Sequence, residues 1–192
     1  MLEHIAQRTG TLSSGLIEIS ERLGPTLAQV SAQLTQTLLT EGRILTCGVG
    51  QQAALAQIFS TQLNHKLTQD RPALPSICLN ADAILVSSIA SGRSGSEVYA
   101  HQIRAMAQPQ DLLVLFSANG SEPACMKALS SAHDRDIGCI IISDESGGEL
   151  SALIGHEDQE IRLPSQEQAT LLPMQLAVST LLLELIEKQL FG

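Results

Sequence analysis

Residues 111–122 read DLLVLFSANGSE, with Pro123 next. Residues 112–116 are a short unbroken apolar run, the pattern of a strand buried on both faces of a parallel sheet. The run gives way to small, polar and glycine residues over 117–122, which predicts a tight turn. Pro123 suits the first position of a helix, where its missing N–H costs nothing. A strand, a polar turn and a helix N-terminus together make an anion pocket, because unpaired backbone N–H groups and the helix dipole converge there. Whether 117–122 still takes a phosphate decides what the chain does.

Downstream, the pattern predicts a helix over 123–133, a β-branched strand over 137–143 and a glycine turn over 144–148. A short helix over 149–154, an alternating strand over 159–163 and a long, very apolar helix over 166–190 follow. Upstream lie a helix over 97–107, a flexible polar loop over 91–96, and a short helix over 81–90 capped by Asn80 or Asp82. Before them come a strand over 76–79, a proline-stiffened connector over 71–75, a helix over 51–67 and a first strand over 43–47. Gly48-Val49-Gly50 forms the first turn, a weak dinucleotide signal because no third glycine follows at the needed spacing. At the N-terminus, Leu12, Leu16, Ile19 and Leu23 mark one amphipathic helix. Gly24-Pro25 is expected to end it and start a second, with Leu27, Val30, Leu34, Leu38 and Leu39 on its stripe. Strand–helix alternation of this kind means a parallel sheet covered on both faces, with ligands near the C-terminal ends of the strands. No internal repeat, low-complexity tract or linker interrupts it, so residues 1–192 read as one domain. Residues 1–40 form a helical segment expected to cap the sheet and to contact other subunits.

Apolar residues make up 44% and charged residues 16%, a globular composition. Aromatics are only 2% and the net charge is −9, which argues against stacking on single strands and against a phosphate-backbone footprint. Cys47, Cys78, Cys125 and Cys139 show no CxxC spacing and are expected to be buried structural thiols. No secretory leader and no apolar run of membrane-spanning length is read, so a cytoplasmic location is expected. No role is assigned to a histidine, and His133, beside Asp134 and Arg135, is expected to be solvated.

Several stretches together resemble one family: RILTCGVG (43–50), DRPALPSICLNAD (70–82), SEVYAHQIRAMAQPQDLLVLFS (96–117), HDRDIGCIIIS (133–143), ESGGELSALIG (145–155), EDQEIRLPS (157–165) and LLLELIEKQLFG (181–192). They are similar to sugar isomerase (SIS) domains of the phosphoheptose isomerase group, which includes sedoheptulose 7-phosphate isomerases and DnaA initiator-associating proteins. The resemblance covers nearly the whole chain. It implies an α/β fold, a three-layer αβα sandwich on a five-stranded parallel sheet, assembled as a homotetramer.

The resemblance weakens at the site. The isomerase needs a base to move a carbon-bound proton and an acid on the oxygen. Catalytic members present a His and a Glu on the helix after the first glycine turn, and a Gln and a His on the closing helix. Those four positions are Ile58, Gln62, Leu172 and Thr180 here. Gln62 and Thr180 exchange no proton near neutral pH. Ile58 and Leu172 cannot ligate the zinc that some members carry, so no catalytic residue, metal or cofactor is expected. The catalytic turn Ser-Thr-Ser-Gly-Asn-Ser is Ser117-Ala118-Asn119-Gly120-Ser121-Glu122 here. Glu122 is the decisive change, because a carboxylate at a helix N-terminus competes with phosphate for the same donors and dipole. At the first turn Val49 and Gln52 replace an Asn and a Ser, and Ser91-Gly92 replaces Asn-Asp in the polar loop.

The expected function is therefore a non-catalytic SIS protein, a homotetrameric adaptor whose partner is a DnaA-type initiator, with Leu190 and Phe191 as the contact. An exposed Phe at a helix end is a plausible anchor, and packing within the tetramer is the competing reading. One alternative is a phosphoheptose isomerase, converting sedoheptulose 7-phosphate to D-glycero-D-manno-heptose 7-phosphate, with residues such as His65, Glu97 and His101 as candidates for its base. Another is a sugar-phosphate-binding module without turnover. Residues expected to line any retained ligand pocket are Gly48, Gly50, Gln51, Gln52, Ser117, Asn119, Gly120 and Ser121. Direct nucleic-acid or membrane contact is not expected.

Overall fold

The computed structural model describes residues 1–68 and 70–192. In chain order it contains α1 (Leu2–Leu39), β1 (Ile44–Gly48), α2 (Gln52–Asn64), β2 (Ser76–Cys78), α3 (Ala83–Gly92), α4 (Val98–Met106), β3 (Leu112–Phe116), α5 (Pro123–His133), β4 (Gly138–Ser143), β5 (Gln159–Arg162) and α6 (Gln168–Phe191). Short 3-10 turns precede α4 and β5, at Gly95–Glu97 and Leu150–Leu153. All five strands are parallel, in the order β2-β1-β3-β4-β5. The central run therefore lies in the middle of the sheet, as its unbroken apolar sequence requires.

Alternate residues of the strands feed two separate cores. Ile44, Leu112, Val114, Phe116, Ile140, Ile142 and Ile161 face α1, α2 and α6. Leu45, Cys47, Leu113, Leu115, Cys139 and Ile141 face α3, α4 and α5. Period-two alternation thus makes every position of β1 and β3 apolar or small, since neither face meets water. Cys47, Cys125 and Cys139 are buried and Cys78 half-buried, all four as free thiols.

Two expectations change. The N-terminal segment is one helix, not two, with Pro25 inside it. Proline removes one intrahelical bond, the one that would reach the carbonyl of Glu21; Glu21 and Pro25 are both exposed, so water can take that carbonyl. Burial of Ile19, Leu27, Val30 and Leu34 against α6 and the sheet outweighs the loss. The flexible loop at 91–96 is shorter than expected, because α3 extends to Gly92 and Ser94 caps the turn that follows through Ser96 N–H. Asp82, not Asn80, caps α3, accepting from Leu85 N–H at 2.9 Å.

By length and composition α6 passes as a membrane-spanning helix, but half of its most apolar stretch is buried in the protein. It packs on α1 and α2 as a core helix. Its last turn is tied down: the Arg71 guanidinium meets Glu187 at 2.7 Å with both side chains buried, and Gln189 donates to Ser31 Oγ at 2.9 Å.

Candidate functional site

Register places the two turns side by side. Gly48 pairs with Phe116 at the C-terminal ends of β1 and β3, so residues 48–52 and 117–122 emerge together. At the first turn, Gly48 N–H donates to Asn80 Oδ1 at 3.1 Å, and Asn80 Nδ2 returns a bond to Gly48 O at 3.0 Å. Tyr99 donates its hydroxyl to the same carbonyl at 2.5 Å and accepts from Asn80 at 2.8 Å. Burial pushes the Tyr99 hydroxyl up from its ordinary pKa, so it stays a donor. Gly50 (φ +64°) has the left-handed backbone that the turn requires.

A buried amide relay joins the turns. Gln52 Nε2 donates to Gln175 Oε1 at 3.3 Å, and Gln175 Nε2 donates to Ser117 O at 2.7 Å and Ile142 O at 3.1 Å. Gln175 on α6 therefore holds the ends of β3 and β4 and the start of α2. It was not among the residues expected at the site; its signal was a lone amide within the apolar stretch 171–178.

The second turn is filled by its own side chain. Glu122 stands at the start of α5 but does not cap it. Its carboxylate turns back, accepting Ala118 N–H at 2.7 Å and the Ser117 hydroxyl. Ser117 Oγ in turn accepts Gly120 N–H at 2.7 Å, and Asn119 Oδ1 accepts Ser121 N–H at 3.0 Å. Gly120 (φ +71°) lies against the neighbouring turn so closely that a Cβ would stand 1.9 Å from Gly147 O. Leu150 N–H closes that contact on Gly120 O at 2.8 Å. The hydroxyl and amides that would cradle an anion thus already serve a carboxylate and the turn itself.

Of the expected ligand residues, Gly48, Gln52, Ser117 and Gly120 are buried and internally bonded, Ser121 is half-buried, and Gly50, Gln51 and Asn119 are exposed. Gln51 accepts from Gln168 at 3.3 Å. On the facing helices, Ile58 is exposed, Leu172 packs at the core edge, and the Thr180 hydroxyl donates to Leu176 O at 3.0 Å. Gln62 Oε1 is buried with no partner among the described residues. Hydrocarbon at Ile58 and Leu172 offers a metal no donor, so these four positions do not fit zinc. At the end of α6, Leu190 packs on the core while Phe191 stays 42% exposed.

His133 departs from expectation. It is half-buried, with Nε2 2.7 Å from the buried Asp158 carboxylate, at the opposite end of the sheet.

A family model described as "SIS domain" matches residues 9–143. A phosphoheptose isomerase of Chromohalobacter salexigens is 38% identical over 173 residues, 90% of this chain and 88% of that protein. A DnaA initiator-associating protein DiaA of Pectobacterium carotovorum is 37% identical over 175 residues, 91% of this chain and 89% of that protein. A solved phosphoheptose isomerase from Francisella tularensis superposes with a TM-score of 0.94 at 26% identity, covering 97% of this chain and 98% of that one.

Proposed function

This chain belongs to the SIS-domain family, and from that membership we propose that it is a non-catalytic member: a homotetrameric adaptor that binds the replication initiator DnaA and promotes initiation. The observation that carries the reading is the Glu122 carboxylate, which takes Ala118 N–H and the Ser117 hydroxyl in the turn where an isomerase needs its phosphate. An isomerase must also move a proton between two carbons, and Ile58, Gln62, Leu172 and Thr180 bring no group that does so near neutral pH. Glu97 does not replace them, because hydrogen bonds from Lys127 and Arg104 hold its carboxylate at a pKa of about 2, a weak base.

The adaptor half of the reading draws on relatives named DiaA at 34% to 37% identity and on the end of α6. Arg71 and Ser31 hold the last turn rigid, and the Phe191 ring projects from it, an arrangement that suits an aromatic anchor. Assembly is supported by the α1–α6 face, where exposed Leu16 and Leu181 flank an apolar groove of about 400 Å³.

The test is binding of the purified chain to DnaA from the same organism, with Phe191→Ala alongside and light scattering to fix the oligomer. Submicromolar binding by the native tetramer, weakened at least about tenfold in Phe191→Ala, is expected for a hot-spot aromatic. Absence of binding, or turnover of sedoheptulose 7-phosphate by the native chain, would refute the reading. The isomerase remains the second reading, on the strength of the 38% identical relative.

A further inference from the structure

At the end of the sheet opposite the two turns, a cleft of about 730 Å³ opens between the C-terminal part of α1, the start of β3, the end of α5 and the loop before β5. His133, from the last turn of α5, and Asp158, from the β5 approach, line it. Cys139, the second residue of β4, lies buried behind them. One donor atom from each of the three, imidazole nitrogen, thiol sulfur and carboxylate oxygen, falls within 4.8 Å of the others.

We propose that His133, Cys139 and Asp158 form a binding site for a divalent transition metal of the zinc type, with its fourth position open to the cleft. The donor set is the argument. Nitrogen, sulfur and oxygen together suit zinc over magnesium or calcium, which take oxygen ligands. Three protein ligands beside an open space are the arrangement of a zinc that keeps one coordination position for water or a small ligand.

The surroundings hold the ligands in place. Asp158 is oriented by two backbone donors, Cys139 N–H on Oδ1 at 2.8 Å and Gly155 N–H on Oδ2 at 2.7 Å. Such outer contacts fix a ligating carboxylate before the metal arrives. Loading the site breaks the Cys139 S–H bond, releases that proton to solvent and uses the sulfur lone pair for the metal. His133 then binds through the Nε2 lone pair, with its proton on Nδ1, and gives up its hydrogen bond to Asp158. This site shares no residue with positions 58, 62, 172 and 180, and it stands whether or not the chain binds an initiator.

The experiment titrates the full chain, stripped with a chelator, with cobalt(II) and then zinc. One cobalt per chain with a thiolate-to-cobalt charge-transfer band, lost when zinc displaces it, is expected. Cys139→Ser should abolish the band, and His133→Gln should weaken binding by about a hundredfold, while Cys125→Ser leaves both unchanged. Circular dichroism identifies any variant that fails to fold, and the native titration alone then decides. A native chain that gives no thiolate band, or a folded Cys139→Ser that keeps it, would overturn the site and leave the three residues as a hydrogen-bonded brace.

Discussion

Replacing Glu122 by alanine should convert the turn after β3 from a self-filled cradle into an open one. The carboxylate accepts one backbone N–H, from Ala118 at 2.7 Å, and the buried Ser117 hydroxyl. A hydrogen bond to a charged group contributes about 1.5–3 kcal/mol when buried, and Glu122 is half-exposed, so about 2 kcal/mol in total is a reasonable loss. For a chain of 192 residues that is a melting temperature lower by about 4–8 °C. The Ala118 N–H and Ser117 hydroxyl are then left without an acceptor beside the N-terminus of α5, where an anion is favoured.

Inorganic phosphate should therefore restore what the substitution removes. At ten times its dissociation constant a ligand adds about 1.4 kcal/mol, which is a rise of about 3–6 °C for the variant. The native chain should gain little over the same range, because phosphate must first displace a tethered carboxylate and then lie beside its charge. Glu122→Gln, which keeps the shape without the charge, should fall between the two. Thermal melts across a phosphate series, with sulfate as a second anion and calorimetry on the best case, read the difference directly. Equal phosphate stabilisation of native and variant would show that Glu122 occludes nothing. A folded variant indifferent to phosphate would show that the turn is no longer an anion site at all.

Two further predictions concern what holds the scaffold. Glu187→Leu leaves Arg71 buried and unpaired and should cost about 3–5 kcal/mol in urea denaturation, whereas Arg71→Met combined with Glu187→Leu should recover most of it; equal damage in both would refute an ion-pair cause. Burial alone would raise the Asp111 pKa, but Arg43, at 2.6 Å, and Gln108 N–H, at 2.9 Å, outweigh it and hold the carboxyl below the aspartate range. A depressed carboxyl contributes fully above its unfolded pKa of about 4 and loses that contribution as the pH falls through the folded value. The stability gap between native and Asp111→Asn, about 3 kcal/mol at neutral pH, should hence narrow below about pH 4. A gap independent of pH would point to packing.

The layers were legible because burial on both faces leaves a mark that no tertiary context can disguise. Continuous apolar runs at 112–116 and 139–142, and the run at 44–47 broken only by Thr46, became the three central strands. The order β2-β1-β3-β4-β5 was not written in any run, since it depends on which crossover packs where, and the family resemblance supplied only the number of strands and their parallel sense. The single α1 was in fact available: Leu12, Leu16, Ile19, Leu23, Leu27, Val30 and Leu34 keep helical spacing straight through Gly24-Pro25. Proline was given more weight than a stripe that never broke phase, although an exposed proline forfeits one bond while the stripe buries many side chains.

The site divides the same way between local and distant causes. That Glu122 would contest the anion pocket was readable from its place beside a turn and a helix start. That its side chain would turn back to Ser117 and Ala118, making no capping bond to α5, was not. Asn80 and Tyr99 reach the first turn from 32 and 51 residues away and Gln175 reaches Ser117 from 58, so no local pattern announces them. Their bonds explain why the scaffold tolerates so altered a turn. Gln175 holds Ser117 by its carbonyl, and Ser117 N–H still pairs with Ile142 O at 3.0 Å. Neither bond involves a side chain of 118–122. The turn's side chains can then change without disturbing the strand register, so a chain with a self-filled turn superposes on a solved phosphoheptose isomerase with a TM-score of 0.94.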